Sequence, residues 1–240
     1  MLFRSGIKTV LFDMDGTLVP MDVKEFMDCY FGELGKKAVS AGYDAEETVK
    51  AVWSATKEVM KNDGQETNYD RFWRNFKKLT GDDSDAYKNV FDNFYINELD
   101  TVRRAVKENT YARQIIDFLK NKGYKIILAT NPLFPEDGNI TRLKWVGLEK
   151  ADFDYITSYE NSKYCKPDPR YYEEIMEKNG CDTETSVMIG NDVKEDLAAG
   201  LIGIDTYLVT DCLINSEETD ITDVKKGTFK ELYEAVIAEM

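Results

Sequence analysis

Five short apolar runs, partly β-branched, set the plan of this chain: Lys8 to Phe12, Tyr124 to Ala129, Phe153 to Thr157, Ser186 to Ile189 and Thr206 to Val209. Runs of this length without polar alternation read as strands buried on both faces. Helical patterns separate the later ones. Tyr111 to Asn121 places Ile115, Ile116, Phe118 and Leu119 at helical spacing, with Gly123 as a stop signal, and Pro169 to Asn179 repeats the pattern through Tyr172, Ile175 and Met176. Strand and helix in alternation predict a doubly wound (Rossmann-like) α/β core, a parallel sheet with right-handed crossovers that binds ligands at the carboxyl ends of its strands.

One stretch breaks the alternation. From Pro20 to Asp100 there is no convincing strand, and amphipathic segments predict helices near Asp22 to Val39, Glu46 to Lys61, Tyr69 to Leu79 and Asp85 to Asn97. Gly42, Gly64 and Gly81 mark the breaks, and Asp44 followed by Glu47 suggests a capping box. The expected organisation is therefore a core of residues 1–19 and 101–240 with an α-helical cap of residues 20–100 inserted after the first strand. With 240 residues, 42% of them hydrophobic, the chain can bury such a core.

Composition removes several kinds of chemistry. There is no histidine, which rules out Ser-His-Asp and Cys-His catalysis and leaves carboxylates, hydroxyls and lysine. Cys29, Cys165, Cys181 and Cys212 lack CxxC spacing, so reduced thiols are expected rather than a zinc knuckle or a disulfide framework. A net charge of −14 argues against nucleic acid, which is bound by clustered Lys and Arg. No apolar run approaches the roughly 18 residues of a bilayer span and nothing resembles a signal peptide, so a cytoplasmic protein without a membrane partner is expected. A monomer or homodimer is expected as well.

The chemistry is concentrated in VLFDMDGTLVP, where an apolar strand ends at Asp13 and continues through Asp15, Gly16 and Thr17. Four fixed positions of this kind arise by chance in about one chain in a thousand of this size. Residues two apart on an extended segment face the same side, so Asp13 and Asp15 can share a pocket beyond the sheet. Gly16 permits a close turn. Two carboxylates about 4 Å apart repel by roughly 4 kcal/mol at an effective dielectric near 20. A bare pair would thus reject an anionic substrate, whereas Mg²⁺, with its preference for oxygen ligands, removes the conflict. The bland alternative is that the two acids cap a helix.

Three further segments follow in order. KIILATNP ends a strand at Thr130 and Asn131, where a hydroxyl and a backbone N–H can hold phosphoryl oxygens, although such threonines also serve as plain turn formers. CKPDPRYY carries Lys166 before Pro167 and a helix; an ammonium there can offset the negative charge of neighbouring carboxylates, with nearby Lys163 as the competing lysine. VMIGNDVKEDLAAG ends a strand at Gly190 and continues through Asn191, Asp192 and Asp196, the last two one turn apart if a helix has begun. Helix capping by Asp192 is the bland alternative.

Taken together, these four segments resemble the haloacid dehalogenase (HAD) superfamily, phosphatase type with a helical cap, over Ile7 to about Leu208. The resemblance implies that Asp13 attacks phosphorus to form an aspartyl phosphate, and that Asp15 protonates the leaving alcohol and then activates water. It implies phosphate binding by Thr130, Asn131 and Lys166, and Mg²⁺ held by Asp13, the backbone of Asp15, and Asp192. Many relatives carry Asp where this chain has Asn191, so Asn191 stays open as the direct ligand, and Asp196 as a metal ligand or as the group that holds Lys166 or a water. Lys166 is preferred to Lys163 because relatives place the lysine directly before the proline. Asp15 favours phosphoester chemistry over dehalogenation, in which that acid is lacking.

The implied function is a Mg²⁺-dependent phosphomonoester hydrolase acting on a small phosphorylated metabolite. The alternatives are a phosphomutase with the same core chemistry and a non-hydrolytic phosphoacceptor or regulatory protein. Trp53, Tyr69, Arg71, Phe72, Trp73 and Arg74 are candidates for substrate contact in the cap, against the plainer reading of cap core and solvated face.

Overall fold

The computed structural model describes residues 4–81 and 84–239. Six parallel strands form one sheet in the order β3-β2-β1-β4-β5-β6: β1 (Thr9–Phe12), β2 (Lys125–Leu128), β3 (Tyr155–Ile156), β4 (Ser186–Gly190), β5 (Asp205–Val209) and β6 (Lys226–Gly227). The chain steps outward from β1 to β2 and β3, then crosses back to lay β4 on the other side of β1. That reversal leaves a crevice at the carboxyl ends of β1 and β4, where an open α/β sheet offers its ligand site.

Alternation along the strands builds a core on each face. Val10, Phe12, Ile126, Leu128, Val187 and Ile189 point to one side, where α5 (Ala112–Asn121) and α8 (Phe229–Glu239) cover them. Leu11, Ile127, Ala129 and Met188 point to the other and meet Tyr171, Tyr172, Ile175 and Met176 of α7 (Pro169–Asn179). Both faces are apolar because both are covered, which is why these strands read as continuous hydrophobic runs.

Between β1 and α5 lie α1 (Val23–Ser40), α2 (Ala45–Val59), α3 (Asn68–Thr80) and α4 (Ser84–Asn93), closed by a π-helical turn (Phe94–Glu98) and a 3₁₀ segment (Leu99–Ala105). Asp22, Asp44 and Thr67 cap the first three, each accepting the N–H three residues on. The helical stretch leaves and rejoins the sheet side by side: Met21 bridges Val106, and the Lys107 N–H donates to the Pro20 carbonyl at 2.8 Å. Helical structure thus continues to Ala105, five residues past the boundary expected from sequence. Buried Asn68 fastens α3 to the strand-end loops by donating to the carbonyls of Pro132 at 3.3 Å and Tyr164 at 3.4 Å.

The predicted strands and helices stand within two residues of their expected limits, apart from α4, whose last turn widens into the π-helix. Three elements have no sequence expectation: β6, α8 and α6 (Glu136–Lys144). Helix α6 escapes pattern reading for a physical reason. Its inward face carries Asn139 and Arg142, both fully buried, with Leu143 as its one large buried apolar side chain. Among the described residues no helix is long and apolar enough to cross a membrane.

Asp152, in the turn before β3, gathers α5 onto the sheet edge by accepting from Arg113 at 2.5 and 3.0 Å, from Lys120 at 3.1 Å and from the Glu149 N–H at 2.8 Å. Burial pushes its carboxyl up, but these donors outweigh it and hold the group at about 2, below the ordinary 3.8. A depressed carboxyl contributes stability above its unfolded value and loses it as pH falls through the folded one. We expect Asp152→Asn to lower the urea midpoint at pH 7, and the gap between variant and wild type to close as pH falls from about 4 toward 2.

Candidate active site

The site is assembled at the tip of β1. The Asp13 N–H still donates to Ile189 at 2.8 Å, so the parallel ladder extends one residue past the strand and fixes the acid at the sheet edge. The chain then turns tightly at Gly16, whose φ is +91°; a Cβ there would lie 2.3 Å from the Asn191 amide nitrogen. Only glycine allows that approach. It lets Asn191 accept from the Thr17 hydroxyl at 3.0 Å while donating to the Cys212 carbonyl at 2.7 Å. The side chain of Asn191, 1% exposed, is therefore committed at both ends to joining three loops.

Beneath Asp13 lies Lys166, whose side chain is wholly buried. Its ammonium donates to Asp13 at 2.8 Å and to Asp196 at 2.7 Å. Burial works against the charge on Lys166, but the two carboxylates outweigh it and raise its pKa well above the ordinary lysine value. Asp196 reaches the lysine by passing over Gly190, where a Cβ would sit 2.1 Å from the Asp196 carboxyl carbon. Lys163, the competing lysine, is exposed, and its backbone binds Glu174. Segment 191–196 forms turns and not the helix considered from sequence. The Asp192 side chain accepts from the N–H groups of Lys194 and Glu195, both at 2.8 Å, so it caps these turns as well as lining the site.

Asp15 pairs with Arg142, a contact that sequence reading missed. The guanidinium is fully buried, lies 4.3 Å from the Phe134 ring centroid and donates to Asn139 at 2.5 Å. The available signal was small: two polar residues three apart on one helix face, just after the strand end at Thr130. Thr130 lines the cavity, and its carbonyl is anchored by the hydroxyls of Thr157 at 2.7 Å and Tyr171 at 2.8 Å. Asn131 donates to both oxygens of Glu195, at 3.0 and 3.1 Å. Glu195 is a second residue that sequence reading passed over.

Asp13, Asp15, Asp192, Glu195 and Asp196 therefore line one cavity of about 230 Å³, and two cations, Lys166 and Arg142, touch them. Burial raises the carboxyls of Asp13, to about 7, and of Glu195, to about 8; Lys166 opposes both shifts, while neighbouring acids reinforce them. Asp192 is raised for the same leading reason. The surplus is negative, and the charged side chains that line the cavity are all carboxylates, which offer hard oxygens. Asp15 Oδ1 and Asn131 Oδ1 are buried without a hydrogen-bond partner. These features fit a small divalent cation. Among the described residues no three acidic or thiol side chains enclose a single point, so the protein supplies only part of a shell. Mg²⁺, which retains waters and takes one or two carboxylates, suits that donor set.

The model of the haloacid dehalogenase-like hydrolases matches residues 7–201, a span that takes in Asp13, Asp15, Thr130, Asn131, Arg142, Lys166, Asn191, Asp192, Glu195 and Asp196. The chain belongs to that family. Two relatives are phosphatases. It is 27% identical to the glyceraldehyde 3-phosphate phosphatase of Methanothermobacter thermautotrophicus, over 89% of this chain and 88% of the relative. It is 29% identical to a phosphorylated carbohydrates phosphatase of Thermotoga maritima, over 72% and 70%. The fold also matches a HAD family enzyme of Bacteroides thetaiotaomicron solved with magnesium and inorganic phosphate: TM-score 0.53, 18% identity, 90% of this chain and 100% of the other.

In this HAD-like hydrolase the aromatic candidates divide. Trp53, Phe72 and Trp73 line a second cavity, which shares Val23, Met27, Leu133 and Phe134 with the first. Tyr69 stands edge-on to Tyr159. Arg71 instead donates to the Glu58 carbonyl at 2.7 Å, and Arg74 pairs with Glu66, so neither cation faces the cavities. Breaking a buried ion group by removing one member leaves charge uncompensated, at a cost of about 3–5 kcal/mol. Lys166→Met is expected to destabilise by about 3 kcal/mol in urea unfolding, and adding Asp196→Asn should recover part of that loss.

Proposed function

We propose that the protein is a Mg²⁺-dependent phosphomonoesterase that works through an aspartyl phosphate on Asp13 and acts on a small phosphorylated metabolite. The observation that carries this reading is the Asp13–Lys166–Asp196 group at the sheet's switch point, with Asp15 two residues beyond the nucleophile. The relatives that are phosphatases support it. Asp13, the backbone carbonyl of Asp15, and Asp192 would hold the cation. Asp192 is preferred over Asn191 because the Asn191 amide is engaged at both ends. When bound, Mg²⁺ neutralises charge on the phosphoryl oxygens and lets an anion approach the acids.

The chain's own residues then divide the work. A carboxylate oxygen of Asp13 attacks phosphorus and the bond from phosphorus to the ester oxygen breaks. The electron pair leaves with the alcohol oxygen, which takes a proton from Asp15. Water next attacks the same phosphorus while Asp15 removes its proton, and the Asp13–phosphorus bond breaks to give inorganic phosphate and the free carboxylate. Lys166 balances charge at Asp13 from below, Thr130 and Asn131 bind phosphoryl oxygens, and Arg142 orients Asp15. Asp196 serves to hold Lys166. Residues 20–100, with the 3₁₀ segment, act as the cap over residues 1–19 and 101–240 and exclude solvent during transfer.

A screen of purified protein against phosphorylated metabolites, with and without Mg²⁺, tests the reaction class. Asp13→Asn should keep the wild-type circular dichroism spectrum and lose phosphate release by about a thousandfold or more. Chelation of the cation should abolish wild-type turnover reversibly. Undiminished hydrolysis by the Asp13 variant contradicts the assignment.

A further inference from the structure

The acidic cavity adjoins a second cavity of about 240 Å³ set among α1, α2, α3 and the loop after β2. Its lining has no charged side chain. Tyr30, Phe31, Trp53, Phe72, Trp73 and Phe134 supply much of the wall, with Val52 and Met60 filling between rings. Among its polar groups the Trp73 indole N–H is buried without a hydrogen-bond partner, and others are engaged. The hydroxyls of Tyr30 and Tyr95 bond one another, and Thr56 donates to the Val52 carbonyl at 2.9 Å. The arginines of α3 that could meet a second anionic group are tied to Glu58 and Glu66.

Val23, Met27, Leu133 and Phe134 belong to both walls, so this is the apolar space adjoining the acids toward which a group esterified to the phosphoryl would extend. A substrate carrying several hydroxyls into it meets an unpartnered donor, the Trp73 indole N–H, and each hydroxyl left unpaired weakens binding by about fivefold to a hundredfold. A methylene gains about fourfold. The volume exceeds the roughly 150 Å³ of an apolar cavity that accepts benzene, so a ring fits. We propose that the preferred substrate is the phosphomonoester of an apolar alcohol bearing an aromatic ring or a short branched chain. This differs from the polar leaving groups named for the two phosphatase relatives. The proposal rests on the phosphomonoesterase reading of the acidic site.

The test is kcat/KM of the full chain with Mg²⁺ for ethyl, butyl, hexyl and 2-phenylethyl phosphates beside glycerol 3-phosphate and glucose 6-phosphate. Values should climb about fourfold per methylene until the cavity is filled. 2-Phenylethyl phosphate should exceed glycerol 3-phosphate by about tenfold or more. Trp53 is 44% exposed, so its truncation is compatible with folding. Trp53→Ala should cut the ratio of 2-phenylethyl to ethyl phosphate turnover about fivefold or more. Equal or greater turnover of the polyhydroxy esters overturns the substrate class while leaving the phosphatase reading intact. An unchanged ratio in a folded Trp53 variant overturns the assignment to this cavity. Absence of Asp13-dependent phosphate release from every ester overturns both.

Discussion

A lysine with no access to water, held between two carboxylates, is the constraint around which this molecule is arranged. An ammonium cannot be buried alone, because its desolvation cost is several kcal/mol and must be met by close opposite charge. Asp13 and Asp196 meet it from different parts of the chain, 153 and 30 residues away from Lys166. To do so the tip of β1, the loop before α7 and the turns after β4 must converge within hydrogen-bond distance. The bare glycine at 190 is part of the same requirement, since any larger residue would occupy the path that Asp196 takes.

That convergence also produces the electrostatic character of the site. Lys166 and Arg142 cannot balance the five acids of the cavity, so burial and mutual repulsion push the carboxyls of Asp13, Asp192 and Glu195 up. In the proposed reaction a divalent ion and a phosphate would enter together, the ion offsetting the acids that the phosphate must approach. On the far side the same cavity is apolar, so charge is confined to the end where phosphorus would sit.

Much of this was legible in the chain itself, for identifiable reasons. The strands were visible because both faces of the sheet are covered, and the helices α1 to α3 because their caps and glycine breaks are local. Asp13, Thr130, Lys166 and Asp192 were legible because each follows directly on a strand or precedes a helix with a proline. Arg142 and Glu195 were not. Each is polar on an element with little apolar periodicity, and each matters only through a partner far away in sequence, Asp15 for the first and Asn131 for the second. The roles considered for Asn191 and Asp196 were separable only by seeing where their side chains bond. The cap arginines likewise needed coordinates, because a surface residue on α3 gives no sign of whether it faces a pocket or its neighbouring helix.

The adjacent strand crossings at Met21 and Val106 carry one more implication. A segment whose two ends meet at a single bridge behaves as a cassette, and another segment with equally close ends would satisfy the same two connections. The acids and the lysine stand mostly below that junction, on loops fixed by the sheet. In the proposed reaction, replacement of the cassette would change which alcohol is admitted while leaving in place the acids and the lysine that the sheet holds.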